Sequence, residues 1–138
     1  MANPIIKNAY FHHIALKVKD FDASLRFYTE GLGFKCDAAW GEGDGRAVLL
    51  DIGDGGYIEL FAGGKTAAVP EDTAGDFIHL AIGTDDPDGA FARAIEYGCK
   101  EKLAPFETGI PAEPAMPVRI AFVTGLDGEV LEFFKTIK

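Results

Sequence analysis

The stretch RAVLLDIGDGGYIELF, Arg46 to Phe61, returns later in the chain as RIAFVTGLDGEVLEFF, Arg119 to Phe134. The offset is 73 residues throughout (119 − 46), with no gap. Arg46 meets Arg119, Asp54 meets Asp127, Gly55 meets Gly128, Glu59 meets Glu132 and Phe61 meets Phe134, and most other positions set apolar against apolar. Upstream, HIALKVKDFDASLRFY (His13 to Tyr28) matches HLAIGTDDPDGAFARA (His79 to Ala94) at an offset of 66 (79 − 13). Self-similarity at a fixed offset marks a duplicated structural unit. The chain thus reads as one domain, 1–138, built from a module at 8–65 and a module at 76–138, joined by 66–75. The second copy has seven more residues between its blocks (73 − 66), and Pro105–Pro117, with four of the seven prolines, is the expected loop for them.

Each module divides in the same way. An alternating strand near Phe11–Lys19, and again near Phe77–Thr84, precedes a helix. Asp20 or Asp22 can cap the first helix, with Gly31 and Gly33 at its end; Asp86-Pro87 supplies the cap and first-turn proline of the second, with Gly98 at its end. Three strands follow, near Phe34–Trp40, Arg46–Ile52 and Gly56–Ala62, with counterparts near Cys99–Pro105, Val118–Thr124 and Glu129–Lys135. Asp54-Gly55 and Asp127-Gly128 are hairpin-turn signals. A β-α-β-β-β module alone leaves an open sheet edge and one uncovered face. The fold class expected is α+β: two such modules pairing into an eight-stranded curved mixed sheet, with the helices on its outer face.

Composition narrows the function. The 138 residues suit one compact domain, with 48% hydrophobic and 25% charged residues. A net charge of −9 argues against nucleic acid as a partner, since phosphate binding needs a basic stripe. No apolar run reaches the ~18 residues of a membrane span, and MANPIIKNAY lacks a secretion signal's pattern, so the expected location is cytoplasmic. Cys36 and Cys99 form no CxxC pair; burial in short strands is their expected role.

Strand parity then isolates four residues. Ile14, Leu16 and Val18 fall on one face, as do Leu80 and Ile82, Ile58 and Leu60, and Leu131 and Phe133. These aliphatic faces are expected against the helices. The opposite faces carry His13, His79, Glu59 and Glu132, beside the small residues Ala15, Ala81 and Gly83. A carboxylate among Ile, Leu and Phe is costly to bury unless it is paired or metal-bound. Here this occurs twice, at equivalent positions of the repeat. Two imidazoles and two carboxylates suit a divalent metal such as Zn²⁺, Ni²⁺, Fe²⁺ or Mn²⁺. His12 has the opposite parity and meets Ile78 in the repeat, so it reads as structural.

The opening HHIALKVKDFDASLRFYTEGLGF, the central YIELF, DFIHLAI at the second start and IAFVTGLDGEVLEFF at the end together resemble the vicinal oxygen chelate family. That family includes glyoxalase I (lactoylglutathione lyase), extradiol dioxygenases, methylmalonyl-CoA epimerase, and fosfomycin and bleomycin resistance proteins. The resemblance spans nearly the whole chain and implies paired modules around a metal cavity. It is nearest to glyoxalase I, whose metal set of two His and two Glu is matched by His13, Glu59, His79 and Glu132. It therefore implies one divalent ion per site, Zn or Ni, with Fe, Mn or Co as alternatives. It further implies isomerisation of the hemithioacetal of a 2-oxoaldehyde such as methylglyoxal to a 2-hydroxy thioester, through an enediolate stabilised by the ion. Glu132 takes the general-base role, with Glu59 its symmetric counterpart. Lys17, Arg46, Arg119 and Met116, the last within the loop Ile110–Pro117, are candidate substrate contacts.

Two departures stand out. Phe61-Ala62-Gly63 occupies the place of a polar residue that commonly holds glutathione, and Gly125-Leu126-Asp127-Gly128 replaces the usual Asp-Pro-Asp-Gly. These leave the thiol open. An acyl-CoA epimerase is the alternative enzyme on the same residues, although its middle ligand is typically Gln where this chain has Glu59. A dioxygenase would normally use a single carboxylate. A non-catalytic drug-binding protein of the bleomycin resistance type is the alternative from a different class. The expected partner is a small molecule, with no nucleic acid or membrane, and a homodimer is a possible state.

Overall fold

The computed structural model describes residues 2–31, 33–64, 76–126 and 129–138. The joining segment 66–75 and the second turn, Asp127-Gly128, lie outside the described residues. The elements run β1 (Tyr10–Lys17), α1 (Phe21–Arg26), β2 (Lys35–Trp40), β3 (Ala47–Asp51), β4 (Tyr57–Phe61), β5 (Asp76–Gly83), α2 (Pro87–Glu96), β6 (Lys100–Ile110), β7 (Met116–Thr124) and β8 (Val130–Thr136). The order β-α-β-β-β thus occurs twice, as the repeat implies. Among the described residues no helix is long and apolar enough to cross a membrane. The chain divides into two compact units: one of His13–Ile78 with Pro111–Glu113, the other of Met1–His12, His79–Ile110 and Pro114–Lys138.

In the unit that begins at His13, the strands lie in the order β2-β3-β4-β1. The first and fourth strands run parallel, with Ala15 opposite Glu59, and β3 runs antiparallel to both β2 and β4. Asp20 caps α1, its Oδ1 accepting from the Ala23 amide at 3.0 Å. A cap of this kind stabilises a helix by about 1 kcal/mol, which settles the choice between Asp20 and Asp22. The helix widens into a π turn over Phe27–Gly31. The core holds Phe21, Val48, Leu50, Ile58 and Leu60, with Ile14, Leu16 and Val18 packed against it. The aliphatic parity read from the sequence is therefore the helix-facing side. At the β3–β4 turn Gly55 takes φ +97°, and the Gly56 amide donates to Asp54 Oδ1 at 2.8 Å.

The other unit orders its strands β5-β8-β7-β6. Strands β5 and β8 run parallel with Ala81 opposite Glu132, the same register that sets Ala15 against Glu59. Asp86 caps α2 through the Gly89 amide at 3.0 Å, and Pro87 fills the first turn. At the other end Gly98 takes φ +103°, Cys99 N–H donates to Ala94 O at 3.0 Å and Gly98 N–H to Ile95 O at 3.1 Å. That is the paired-bond stop for which helices favour glycine. Ala90, Val123 and Phe133 form the core, with Ile82 and Leu131 against it. Leu80 shares their parity but is 36% exposed.

Two expectations are corrected. The seven additional residues do not make a loop over Pro105–Pro117. They lengthen a hairpin: β6 reaches Ile110, β7 starts at Met116, and these two residues pair. Pro105 is accommodated because the register shifts between Leu103 and Phe106, where a missing N–H costs no ladder bond. Nor are the cysteines buried: Cys36 is exposed in β2 and Cys99, just before β6, is half-buried. Desolvation of the thiol raises the Cys36 pKa above its ordinary value.

Candidate metal centre

Each unit holds one His–Glu pair, buried at both residues in the first and at the Glu in the second, where His79 is half-buried. In the first, His13 is 2% and Glu59 6% exposed, and His13 Nε2 lies 3.4 Å from Glu59 Oε1. In the second, Glu132 is 4% exposed and its Oε1 lies 3.1 Å from His79 Nε2. The geometry follows from the register. Each His stands two residues before an alanine, on the same face, and that alanine faces the Glu across a parallel pair. Ala15 and Ala81 are wholly buried, and their single methyl groups leave room for imidazole and carboxylate to meet diagonally.

The surroundings are apolar in both units. Leu49 faces Glu59 across β3–β4, and Phe122 faces Glu132 across β7–β8. The Phe122 ring meets His79 edge-on at 5.6 Å and 83°. A carboxylate set among such neighbours needs a positive partner to stay ionised. One neutral imidazole nitrogen and one carboxylate oxygen per unit is a donor set that suits a borderline divalent cation. The residues present therefore fit a metal of the kind expected.

The remaining predicted residues separate. Lys17 follows His13 and Ala15 on their face and is exposed; it pairs in register with Phe61. Met116 opens β7 on the parity of Phe122 and is half-buried. Arg46 and Arg119 turn to the helices. Arg46 Nη1 meets Asp22 Oδ1 at 2.9 Å and the guanidinium lies 4.3 Å from the Phe21 ring centroid. Arg119 grips Asp88 through both Nε (2.6 Å) and Nη2 (2.7 Å). The Arg119 guanidinium holds the Asp88 carboxyl below the usual carboxylate range. These two ion pairs are equivalent under the repeat and each ties a strand to a helix N-terminus. His12 is buried, its ring 4.1 Å from that of Phe134, in keeping with a structural residue.

Sequence reading missed one polar contact on the Glu59 face. Tyr57, of the same parity as Glu59, donates its hydroxyl to Asp37 Oδ2 at 2.9 Å. Asp37 sits at a register shift between Cys36 and Ala38, and period-two parity does not extend through such a bulge.

Residues 10–133 match the family model described as the Glyoxalase/Bleomycin resistance protein/Dioxygenase superfamily. The chain belongs to this superfamily. It is 29% identical over 129 residues to the uncharacterized protein YwbC of Bacillus subtilis (strain 168), covering 89% of this chain and 94% of that one. Among solved structures it is similar to methylmalonyl-CoA epimerase from Mycobacterium tuberculosis, at a TM-score of 0.70 and 20% identity, covering 100% of this chain and 94% of the other. A mutant of 4-hydroxymandelate synthase from Streptomyces coelicolor aligns at a TM-score of 0.68 and 20% identity over 98% of this chain and 43% of that chain. These likenesses give the fold. The superfamily includes enzymes that act on small molecules, epimerase and dioxygenase among them.

Proposed function

We propose that the chain is a metal-dependent lyase of glyoxalase I type, which isomerises the hemithioacetal of a 2-oxoaldehyde to a 2-hydroxy thioester. His13, Glu59, His79 and Glu132 would together hold one divalent ion, Zn or Ni. The observation that carries this reading is the recurrence in each unit of one buried glutamate paired with a histidine, in the same register. When bound, the ion supplies Lewis-acid polarisation of two neighbouring substrate oxygens.

The chain's own residues do the rest. Glu132 takes the proton from the hydroxyl-bearing carbon, breaking C–H and forming O–H on the carboxyl group. It returns that proton to the adjacent carbon, and the hydroxyl proton passes from the first oxygen to the second, so the net change is an isomerisation. Glu59 is its symmetric counterpart. Apolar neighbours such as Phe122 and Phe134 exclude water, which strengthens every electrostatic contact at the site. Lys17 and Met116 are the candidate contacts to the remainder of the substrate. Arg46 and Arg119 would have to leave their helix carboxylates to reach it.

The fold likeness to methylmalonyl-CoA epimerase favours one second reading. Glu132 would take a proton beside a thioester carbonyl, and Glu59, its symmetric counterpart, would deliver a proton to the opposite face of that carbon.

The test begins with metal. Elemental analysis of exhaustively dialysed protein should find about one divalent ion per chain, lost or weakened in Glu132→Gln. Reloaded protein is then assayed with methylglyoxal and several thiols, and separately with a 2-methyl-branched acyl thioester. Turnover of the first set supports the lyase, turnover of the second supports the epimerase, and failure to retain Zn²⁺ or Ni²⁺ sinks both.

A further inference from the structure

The two units do not present equal walls around their His–Glu pairs. Side chains directly opposite one another on neighbouring strands share a face. Phe122 faces Glu132 and Leu103 faces Phe122; Ile120 faces Phe134 and Phe106 faces Ile120. Leu103, Phe106, Ile120, Phe122 and Phe134 thus stand on the face that carries Glu132. In the other unit the residues at the corresponding rungs are Ala38 opposite Leu49, and Trp40 opposite Ala47. The His79–Glu132 face is therefore lined by larger apolar groups, and part of that lining is open. Leu103 is 48% and Phe106 38% exposed, next to a Phe122 ring that touches His79. Exposing large apolar side chains beside a buried polar pair has a cost that ligand burial removes.

The repeat explains how this asymmetry arose in the fold. Leu103 and Phe106 flank the register shift in β6, the strand lengthened by the additional residues of the second copy. Arg119 and Lys135 pair with each other across β7–β8, and Arg119 is held by Asp88 on α2, which sets this cation pair on the helix side. Apart from His12, whose ring lies 4.1 Å from that of Phe134, the side chains that β6 and β7 offer beside His79 and Glu132 are apolar.

We infer that Leu103 and Phe106 are specificity-determining residues that receive a bulky apolar group, aromatic or branched aliphatic, on the reacting end of the substrate. The inference rests on the proposed reading for where the reacting oxygens sit. It names the substrate class: a 2-oxoaldehyde adduct with a large apolar substituent in preference to the methyl of methylglyoxal.

The probes are benzohydroxamate and acetohydroxamate. Both present two adjacent oxygens, and they differ in a phenyl against a methyl group. Binding is followed by NMR of the Leu103 methyl groups and the Phe106 and Phe122 rings, in zinc-loaded and in metal-free protein. Benzohydroxamate should bind the loaded protein about tenfold tighter or better, the scale on which apolar pockets discriminate. Leu103→Ala and Phe106→Leu, both at partly exposed positions, should each shrink that ratio by weakening benzohydroxamate more than acetohydroxamate. In metal-free protein the phenyl probe alone should still shift the Leu103 signals. Equal affinity of the two probes, with no phenyl-specific shift in either state, overturns the inference. Phenyl-specific shifts in metal-free protein without any gain on zinc loading would instead keep the apolar subsite and remove the metal reading. Shifts that depend on protein concentration and not on probe would assign the patch to a second copy of the chain and overturn it.

Discussion

At the scale of single residues, two kinds of charged pair are built in duplicate, and they differ in what surrounds them. Glu59 and Glu132 are buried with an imidazole each; Asp22 and Asp88 are open to solvent with an arginine each. The open pairs bear on stability through linkage. The carboxyl of Asp88 has its pKa lowered, first by the hydrogen bond from Arg119. A folded-state pKa below the unfolded value means that the contribution is fully present above the ordinary Asp range near 3.8. It is lost as pH falls through the lower folded value. Urea unfolding of the parent and of Asp88→Asn should show the parent more stable at pH 7, by a small margin that added salt reduces. The margin should close as the pH approaches 2. A margin that persists there would assign the effect to helix capping or packing and not to the ion pair.

At the scale of elements, the strands, helices and stops were legible because each has a local physical signal. Asp86-Pro87 and Gly98 bracket α2 in the sequence as they do in the structure. Period-two parity placed Ile14, Leu16, Ile58 and Leu60 on the helix side and both Glu residues on the other. What could not be read was register irregularity. Neither the bulge that carries Asp37 to the Tyr57 hydroxyl nor the shift that lets Pro105 lie within β6 leaves a periodic trace, since each interrupts the period used to read it. The loop expected at Pro105–Pro117 failed for that reason: prolines tolerated at a bulge and near a hairpin tip look like a loop in sequence. Glycine conformation is a sharper signal. Gly41, after β2, takes φ +78°, and a Cβ there would lie 1.9 Å from the Gly45 carbonyl oxygen. Gly43 nearby takes φ +56° with nothing within 4 Å of such a Cβ. Gly43→Ala should cost only the left-handed backbone penalty of about 1–2 kcal/mol. Gly41→Ala carries that penalty and a clash with backbone, so its cost should be clearly larger in urea unfolding. Equal costs would show that the turn at Gly43–Gly45 rearranges freely.

At the scale of the whole molecule, duplication turns a local feature into a functional statement, and it also makes that statement testable by counting. One imidazole and one carboxylate make a poor site by themselves, since a divalent first-row ion takes four ligands or more. On the proposed reading, two such pairs complete one set. The stoichiometry expected is therefore one ion per chain, and the loss of either pair should remove the whole of it. His13→Ala and His79→Ala are expected each to drop zinc per chain from about one to near zero, measured by elemental analysis after dialysis. Independent pairs would bind up to two ions, and each variant would retain one; that result would refute the shared site while sparing the donors. The same two variants decide whether a shared site lies within one chain or between two. When they are mixed and allowed to exchange, a site shared between chains regenerates one intact set from the His13 of one variant and the His79 of the other. Zinc binding then returns in part. A site within a chain has one imidazole missing in every copy, so mixing restores nothing.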